Sequence, residues 1–347
     1  MKMFSLKRTY SERRFNEYNS HMKVIFIGSQ TIGYNCLKKV LELGIEVPII
    51  FTMKAEPHEK WEHSVDEIAL QKQIPLYVCS NLSVKDHLEI MNTVQPEAIF
   101  VVGWRKIIPA EILEVPKYGS IAFHASLLPK LRGFAPINWA LLLDEKQTGI
   151  TAFYMDSGID TGDILAQKEI KITDEDDAGT LRKKVEKAAV DIISEFAVAL
   201  CQGKAPKTKQ KDKAMNYCCP RSPVDGLINW NDSSRKIFNL IRSLASPYPG
   251  AYTYYKGNKL YIWKSSIKHS EIKIIGVPGQ IASIEKGKNV SVVTGNDEVL
   301  VIETVQEEDK EKVNAGTYFS SIRDRLGLDF ETEFLKLKHE IKKLNKR

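Results

Sequence analysis

The sequence predicts an α/β fold: a doubly wound, mostly parallel Rossmann-like sheet followed by a smaller β-barrel domain of OB-like character. Three observations carry this. Over residues 22–202, short apolar runs alternate with helix-like segments, the pattern of a parallel sheet covered on both faces. A polar, basic, proline-containing stretch at 203–215 then has linker chemistry. Beyond it, over 216–328, short alternating segments are separated by turns such as Gly257-Asn258 and Gly295-Asn296.

Taken in order, residues 24–28 form the first apolar run, and 35–43 have helical periodicity ended by Gly44. The run at 47–52 is the next strand. Helix-like 65–73, strand 76–79, helix-like 84–93 and strand 98–104 follow, and one helical turn at 110–115 leads into strand 120–124. Strands at 150–155 and 164–172 and a long amphipathic helix at 180–200 complete the first domain. In the second, an amphipathic helix at 233–244 precedes strands at 251–255, 260–265, 279–284 and 290–294. Residues 1–21 read as a flexible arm and 329–347 as a charged helical tail.

Composition narrows the function classes. The 347 residues are 43% hydrophobic and 27% charged, an ordinary globular balance. No apolar run approaches the ~20 residues that span a bilayer. The net charge of +6 comes from the two ends, since 1–21 and 331–347 each carry +3 and the body between them sums to zero. A basic charge confined to the ends argues against a nucleic-acid-binding face on the body. Five cysteines with no C-x-x-C, and no secretory signal, point to a reducing, cytoplasmic setting.

Reactive groups in such sheets gather at the carboxyl ends of the strands. The turn from Gly28 to Gly33 lacks the middle glycine of a dinucleotide fingerprint and the Lys-Ser/Thr of a P-loop. His58 and His63 lack ligand spacing, and no metal is expected. His124 is different. It ends a buried strand, just before the proline-containing loop Ser126-Leu127-Leu128-Pro129-Lys130-Leu131-Arg132-Gly133. The next strand leaves through a glycine loop rich in carboxylates, Asp156-Ser157-Gly158-Ile159-Asp160-Thr161-Gly162-Asp163. A carboxylate beside an imidazole favours the ring's charged form and fixes its tautomer, which makes an acid–base pair.

The His-x-Ser-Leu-Leu-Pro-x-x-Arg-Gly run from His124, the Ala135-Pro136-Ile137-Asn138-Trp139 after it and the Asp-x-Gly-x-Asp-Thr-Gly-Asp loop from Asp156 together resemble the 10-formyltetrahydrofolate-dependent formyltransferases. The Arg221–Trp230 stretch and Pro247-Tyr248-Pro249-Gly250-Ala251 are similar to the C-terminal domain of that family's tRNA and aminosugar enzymes. The resemblance covers about residues 22–328 and implies the formyltransferase fold, with 10-formyltetrahydrofolate as formyl donor. It further implies that an amine attacks the formyl carbon, that His124 stabilises the resulting oxyanion and exchanges protons, and that Asp160 orients and charges His124. The pterin would lie against Trp104, Lys106, Ile107, Ile108 and Leu113, with contacts from Asp156 and Gly158. Ser126, Arg132 and Asn138 would face the acceptor, and Arg132 would either meet a diphosphate or pair with the acidic loop.

One position departs from the pattern. The family's transferases usually carry asparagine two residues before the histidine, as a donor to the oxyanion, and here Ala122 stands there. Either another donor substitutes, or the chain is a formyltetrahydrofolate hydrolase or a non-catalytic folate- or sugar-binding module. A further possibility is that Ala122 is an inactivating substitution. The stretch 53–62 is short and mixed in charge where initiator-tRNA enzymes carry a longer basic insertion. A nucleotide-linked aminosugar is therefore the first expected acceptor and Met-tRNA the second.

Overall fold

The computed structural model describes residues 22–56, 62–211, 215–267 and 273–328, with six helical positions between Phe334 and Lys342. The arm expected over 1–21 lies outside the described residues. No helix among the described residues is long and apolar enough to cross a membrane. The chain forms two compact units. One holds the described residues up to Pro136 with Lys146–Ile172 and Leu181–Cys219; the other holds Ile137–Glu145, Thr173–Thr180 and the described residues from Pro220. The units thus interleave along the chain, where the sequence suggested one boundary at a linker.

The first unit is built on a seven-stranded sheet of order β3-β2-β1-β4-β5-β7-β8. Its strands are β1 (Val24–Gly28), β2 (Ile50–Thr52), β3 (Leu76–Val78), β4 (Ala98–Val102), β5 (Ser120–His124), β7 (Gln147–Tyr154) and β8 (Ile164–Lys171), while β6 is the short Arg132–Gly133. β1 to β5 pair in parallel, and β7 and β8 join antiparallel. β2 starts three residues later than its apolar run because Pro48 has no N–H to give a ladder. Helix α1 (Gln30–Glu42) starts earlier than its pattern. Gly33 lies against Gly28 and the Val102 carbonyl with no room to spare, so a residue type that disfavours helices is kept for close packing. Helix α2 (Val65–Lys72) opens with a capping box from Ser64 and Glu67, and α3 (Val84–Val94) opens on the Ser83 hydroxyl. A single turn, α4, spans Ala110–Leu113.

Strand alternation divides the core in two. Ile25, Ile27, Ile99, Val101 and Ala122 share one apolar cluster with Ile108, Ile112 and Phe153. On the opposite face, Phe100, Phe123 and Phe196 meet ring to ring. Phe196 belongs to the long helix Ala178–Cys201, numbered α6 after the short α5 (Pro136–Leu142).

The stretch expected as a free basic tether is fastened to the first unit. Thr208 and Ile164 exchange both backbone hydrogen bonds, at 2.7 and 2.9 Å. β9 (Tyr217–Cys218) pairs in parallel with β6. The segment thus adds backbone hydrogen bonds to the start of β8, whose other neighbour is β7, and to the short β6.

The second unit is an antiparallel sheet of order β10-β11-β14-β13-β12, with β15 on β14. The strands are β10 (Ala251–Tyr255), β11 (Asn258–Ile267), β12 (Ile281–Glu285), β13 (Asn289–Val293), β14 (Val299–Glu307) and β15 (Val313–Asn314). Among the described residues the pairing path runs from β10 to β12, an antiparallel sheet consistent with the small β domain expected from sequence. Helix α7 (Ser234–Ser243) buries Ile237, Phe238 and Ile241 with Trp230, Leu260, Ile262, Leu300 and Ile302. β14 has no counterpart in the sequence prediction. Leu300, Val301 and Ile302 are all buried, so the alternation that marks a half-exposed strand is lost there. Within this unit the buried Arg242 donates to Asn239 Oδ1 and the Thr173 carbonyl, each at 2.9 Å, and to Asp144 Oδ1 at 3.3 Å.

Candidate active site

The site is assembled by β5 and the two loops that leave its neighbourhood. Ala122 and His124 lie two residues apart on β5, so their side chains share the face that also carries Val101 and Phe153. Their partners on β7 are Phe153 and Thr151. His124 is therefore held at the carboxyl end of a central strand, 8% exposed. Its Nδ1 is 3.3 Å from Asp160 Oδ2. Its Nε2 donates to the Leu131 carbonyl at 2.7 Å. Since a carbonyl only accepts, Nε2 carries a hydrogen, and a second hydrogen on Nδ1 would satisfy both contacts.

Asp160 is held as firmly. Its Oδ2 accepts the Gly133 N–H at 2.7 Å, and its backbone has φ +54°, the left-handed region that side chains rarely enter. The loop around it is closed by Asp156, whose Oδ1 accepts from Gly158 N at 3.0 Å and Thr161 Oγ1 at 2.6 Å. A side chain at Gly162 would strike the Tyr154 carbonyl, which explains the glycine there. Asp156 and Gly158 are exposed at the loop's rim.

The residues expected at the acceptor side are engaged within the protein. Ser126 is fully buried; its hydroxyl donates to the Lys130 carbonyl at 2.6 Å and its own carbonyl accepts from Thr151. Asn138 is 2% exposed and its amide donates to the Ser243 carbonyl at 2.6 Å. Arg132 neither opens to a crevice mouth nor pairs with an acidic side chain of the loop. It is 4% exposed and donates to Gln210 Oε1 from Nε and Nη2, at 3.1 and 2.7 Å, and to the Tyr217 hydroxyl at 3.2 Å. Ser126 is satisfied within its own turn, whereas Arg132 and Asn138 bond groups 78 and 105 positions away, and Asn138 Oδ1 has no hydrogen-bond partner among the described residues.

The stretch expected to hold a pterin splits by exposure. Ile108 lies in the apolar cluster, with Trp104 and Leu113 packed against it. Ile107 is 89% exposed and so is not core; Lys106 is exposed beside it. Trp104 Nε1 and Thr52 Oγ1 are buried with no hydrogen-bond partner among the described residues. Buried polar atoms normally find partners, so these two suit a ligand with polar edges. An open cavity of about 490 Å³ adjoins this loop, lined by Met53, Lys54, Cys79, Asn81 and Lys106. Of the stretch 104–113 only Lys106 lines this cavity; Trp104, Ile108 and Leu113 face the apolar cluster beside it.

Sequence reasoning missed two residues. The Leu131 carbonyl carries no side-chain signature, and Gln210 looked like part of a solvated linker.

Comparison with known proteins gives the site its context. The family described as formyl transferase matches residues 22–196, and the formyl transferase C-terminal domain matches 221–323. The methionyl-tRNA formyltransferase of Pelotomaculum thermopropionicum is 36% identical over 302 residues, covering 86% of this chain and 95% of that protein. The bifunctional polymyxin resistance protein ArnA of Wigglesworthia glossinidia brevipalpis is 37% identical over 257 residues, covering 74% of this chain and 39% of that one. Among solved structures, an N-formyltransferase from Helicobacter canadensis in complex with folinic acid and dTDP-3-aminofucose shares the fold with a TM-score of 0.64 at 19% identity, over 83% of this chain and 100% of that one.

Proposed function

This chain belongs to the formyl transferase family, and from that premise we propose that it moves the formyl group of 10-formyltetrahydrofolate to a primary amine through His124 and Asp160. The observation that carries the proposal is the His124–Asp160 contact of 3.3 Å at the carboxyl end of β5. When bound, the folate supplies a formyl carbon open to attack by an amine. Trp104, Ile108 and Leu113 would hold its ring system, with Ile107 and Lys106 at the rim and Asp156 and Gly158 on the facing loop.

The work of this chain's residues follows from their contacts. Asp160, fixed by Gly133, orients His124. A ring held at both nitrogens is aimed before substrate binds, and a proton it carries can meet negative charge growing on the formyl oxygen. To move a proton, His124 gives up its contact with either the Leu131 carbonyl or Asp160. With Ala122 in place of an amide, the ring bears more of this task than in relatives that have asparagine there.

The acceptor we favour is the amino group of Met-tRNA. Three methionyl-tRNA formyltransferases match at 36–37% identity over 95–96% of their length. This reverses the sequence-based order, and the internal use of Arg132 removes the diphosphate contact that had supported a nucleotide-sugar. A nucleotide-linked aminosugar is the second reading, supported by the short mixed-charge stretch at 53–62 and the ArnA relative. The free thiols of its cysteines agree with a cytoplasmic setting.

The test is a panel of acceptors with 10-formyltetrahydrofolate: Met-tRNA, several aminosugar nucleotides and no acceptor. Formylated Met-tRNA supports the first reading and a formylated sugar the second. Folate turnover without any amine makes the chain a hydrolase. Binding with no turnover in any arm sinks the transferase proposal.

A further inference from the structure

We propose that Gln210, clamped by Arg132, is a positioning residue that holds the Asp160 loop in its reactive geometry. The inference rests on the His124–Asp160 reading above and adds to it a brace from outside the conserved-looking motifs.

The argument begins with the loop. Asp160 sits in the left-handed region at φ +54°. Aspartate enters this region more readily than most side chains, so how firmly the loop keeps its shape depends on what else holds it. The first half of the loop is self-closed by Asp156. The second half depends on Gln210. Its Nε2 donates to the carbonyls of Asp160 at 2.9 Å and Gly162 at 2.8 Å, the residues on either side of Thr161.

An amide can be turned end for end, so what orients this one matters. Arg132 decides it. The guanidinium only donates, and it presents both Nε and Nη2 to the same Gln210 oxygen. The amide nitrogen is thereby forced to face the two carbonyls. Arg132 is in turn fixed by the Tyr217 hydroxyl and ring.

Three consecutive residues then organise the pair. The Leu131 carbonyl takes the His124 Nε2 hydrogen, Arg132 orients Gln210, and the Gly133 N–H holds the Asp160 carboxylate. The same segment that carries Gln210 secures this strand. Thr208 is bonded to Ile164 just beyond the acidic loop, and Asn216 binds the backbone of Leu131 and Arg132. Thr208 and Gln210 hold the loop from this segment, with Gln210 as the contact to the carboxylate-bearing residue.

The test compares Gln210→Ala and Gln210→Glu with the unaltered chain. The Glu variant keeps an acceptor for Arg132 and loses the donors to the loop carbonyls. For both variants kcat is expected to fall by about 10-fold or more, with KM for 10-formyltetrahydrofolate within about twofold. Hydrogen–deuterium exchange in the peptide containing Gly133 is expected to speed up, because its N–H loses a fixed carboxylate. A merely structural residue would lower the melting temperature and leave the kcat-to-KM split and the Glu variant's behaviour unchanged. Unaltered kcat in variants of an active protein overturns the brace and spares the transferase reading. If the unaltered chain transfers nothing, that reading fails instead, and the exchange at Gly133 still decides the brace: no change in exchange overturns it. Should the Ala variant not fold, the Glu variant carries both measurements.

Discussion

The Leu131 carbonyl accepts from His124 Nε2 at 2.7 Å, so the imidazole at the candidate site is gripped by backbone on one side and by Asp160 on the other. A ring gripped this way is aimed before any ligand arrives, and orientation is a large part of what a catalytic group contributes. The consequences can be measured.

His124→Ala and Asp160→Asn are each expected to lower kcat for formyl transfer by about 10²–10⁴-fold, the range for positioned acid–base groups. Because the two act as one unit, the double variant should lose little more than the worse single one. Steady-state rates for the three variants check this; fully multiplicative losses would mean that the residues act independently.

Ala122 occupies the face of β5 that leads to His124, 8% exposed and among apolar neighbours. Ala122→Asn is expected to raise turnover by about 10-fold or more, since one oxyanion donor is typically worth 10²–10³ in rate. The amide enters an apolar cluster, so stability should fall by about 1–3 kcal/mol where it lacks a partner. Rate and denaturant midpoint measured on the same preparation separate the two effects. An unchanged rate would identify another donor already in place.

In the second unit, Arg242 is 5% exposed and ties Asn239, Thr173 and Asp144 together. Arg242→Ala should destabilise the protein by about 1–2 kcal/mol, because Asn239, Thr173 and Asp144 each lose one donor while the Asp176 N–H still serves the Thr173 carbonyl and Arg235 stays beside Asp144. Equilibrium urea unfolding reads this directly, and a loss below about 0.5 kcal/mol would show that water replaces the guanidinium.

Cysteine reactivity should follow burial. Burial pushes the Cys218 thiol up to about 11, and the Cys201 thiol likewise up to about 11. A raised value leaves less thiolate: at pH 8 roughly one molecule in a thousand carries it at either position. The exposed Cys219 should therefore react first with a thiol reagent in the native protein. Mass mapping after brief alkylation at pH 8 checks the order, and raising the pH toward 11 should bring Cys218 and Cys201 in.

The strand–helix order of the first domain was legible because apolar periodicity is a local property. Val24–Gly28, Ser120–His124 and the loop from Asp156 all stand where their spacing put them. The candidate His–Asp pair was suggested by its two motifs, but their meeting was not. β7 runs antiparallel to β5, so the Asp160 loop leaves beside Ile121 and has to fold back along the sheet to reach His124. Elements whose pattern is erased by burial on both faces were not legible. Val299–Glu307 is central to its sheet, and its consecutive buried residues look like no alternating strand.

What sequence alone determined is the family and the order of elements in the first domain, and it named His124 and Asp160 as candidates. Only the tertiary structure decided which groups hold them. Leu131 acts through a carbonyl that every residue type possesses, and Ser126, Arg132 and the Asn138 amide nitrogen are engaged by groups that the fold brings beside them. Gln210 reaches Asp160 across 50 positions of chain. A hydrogen bond of that sequence separation depends on where the fold brings two segments together, and no local pattern of residues encodes that distance.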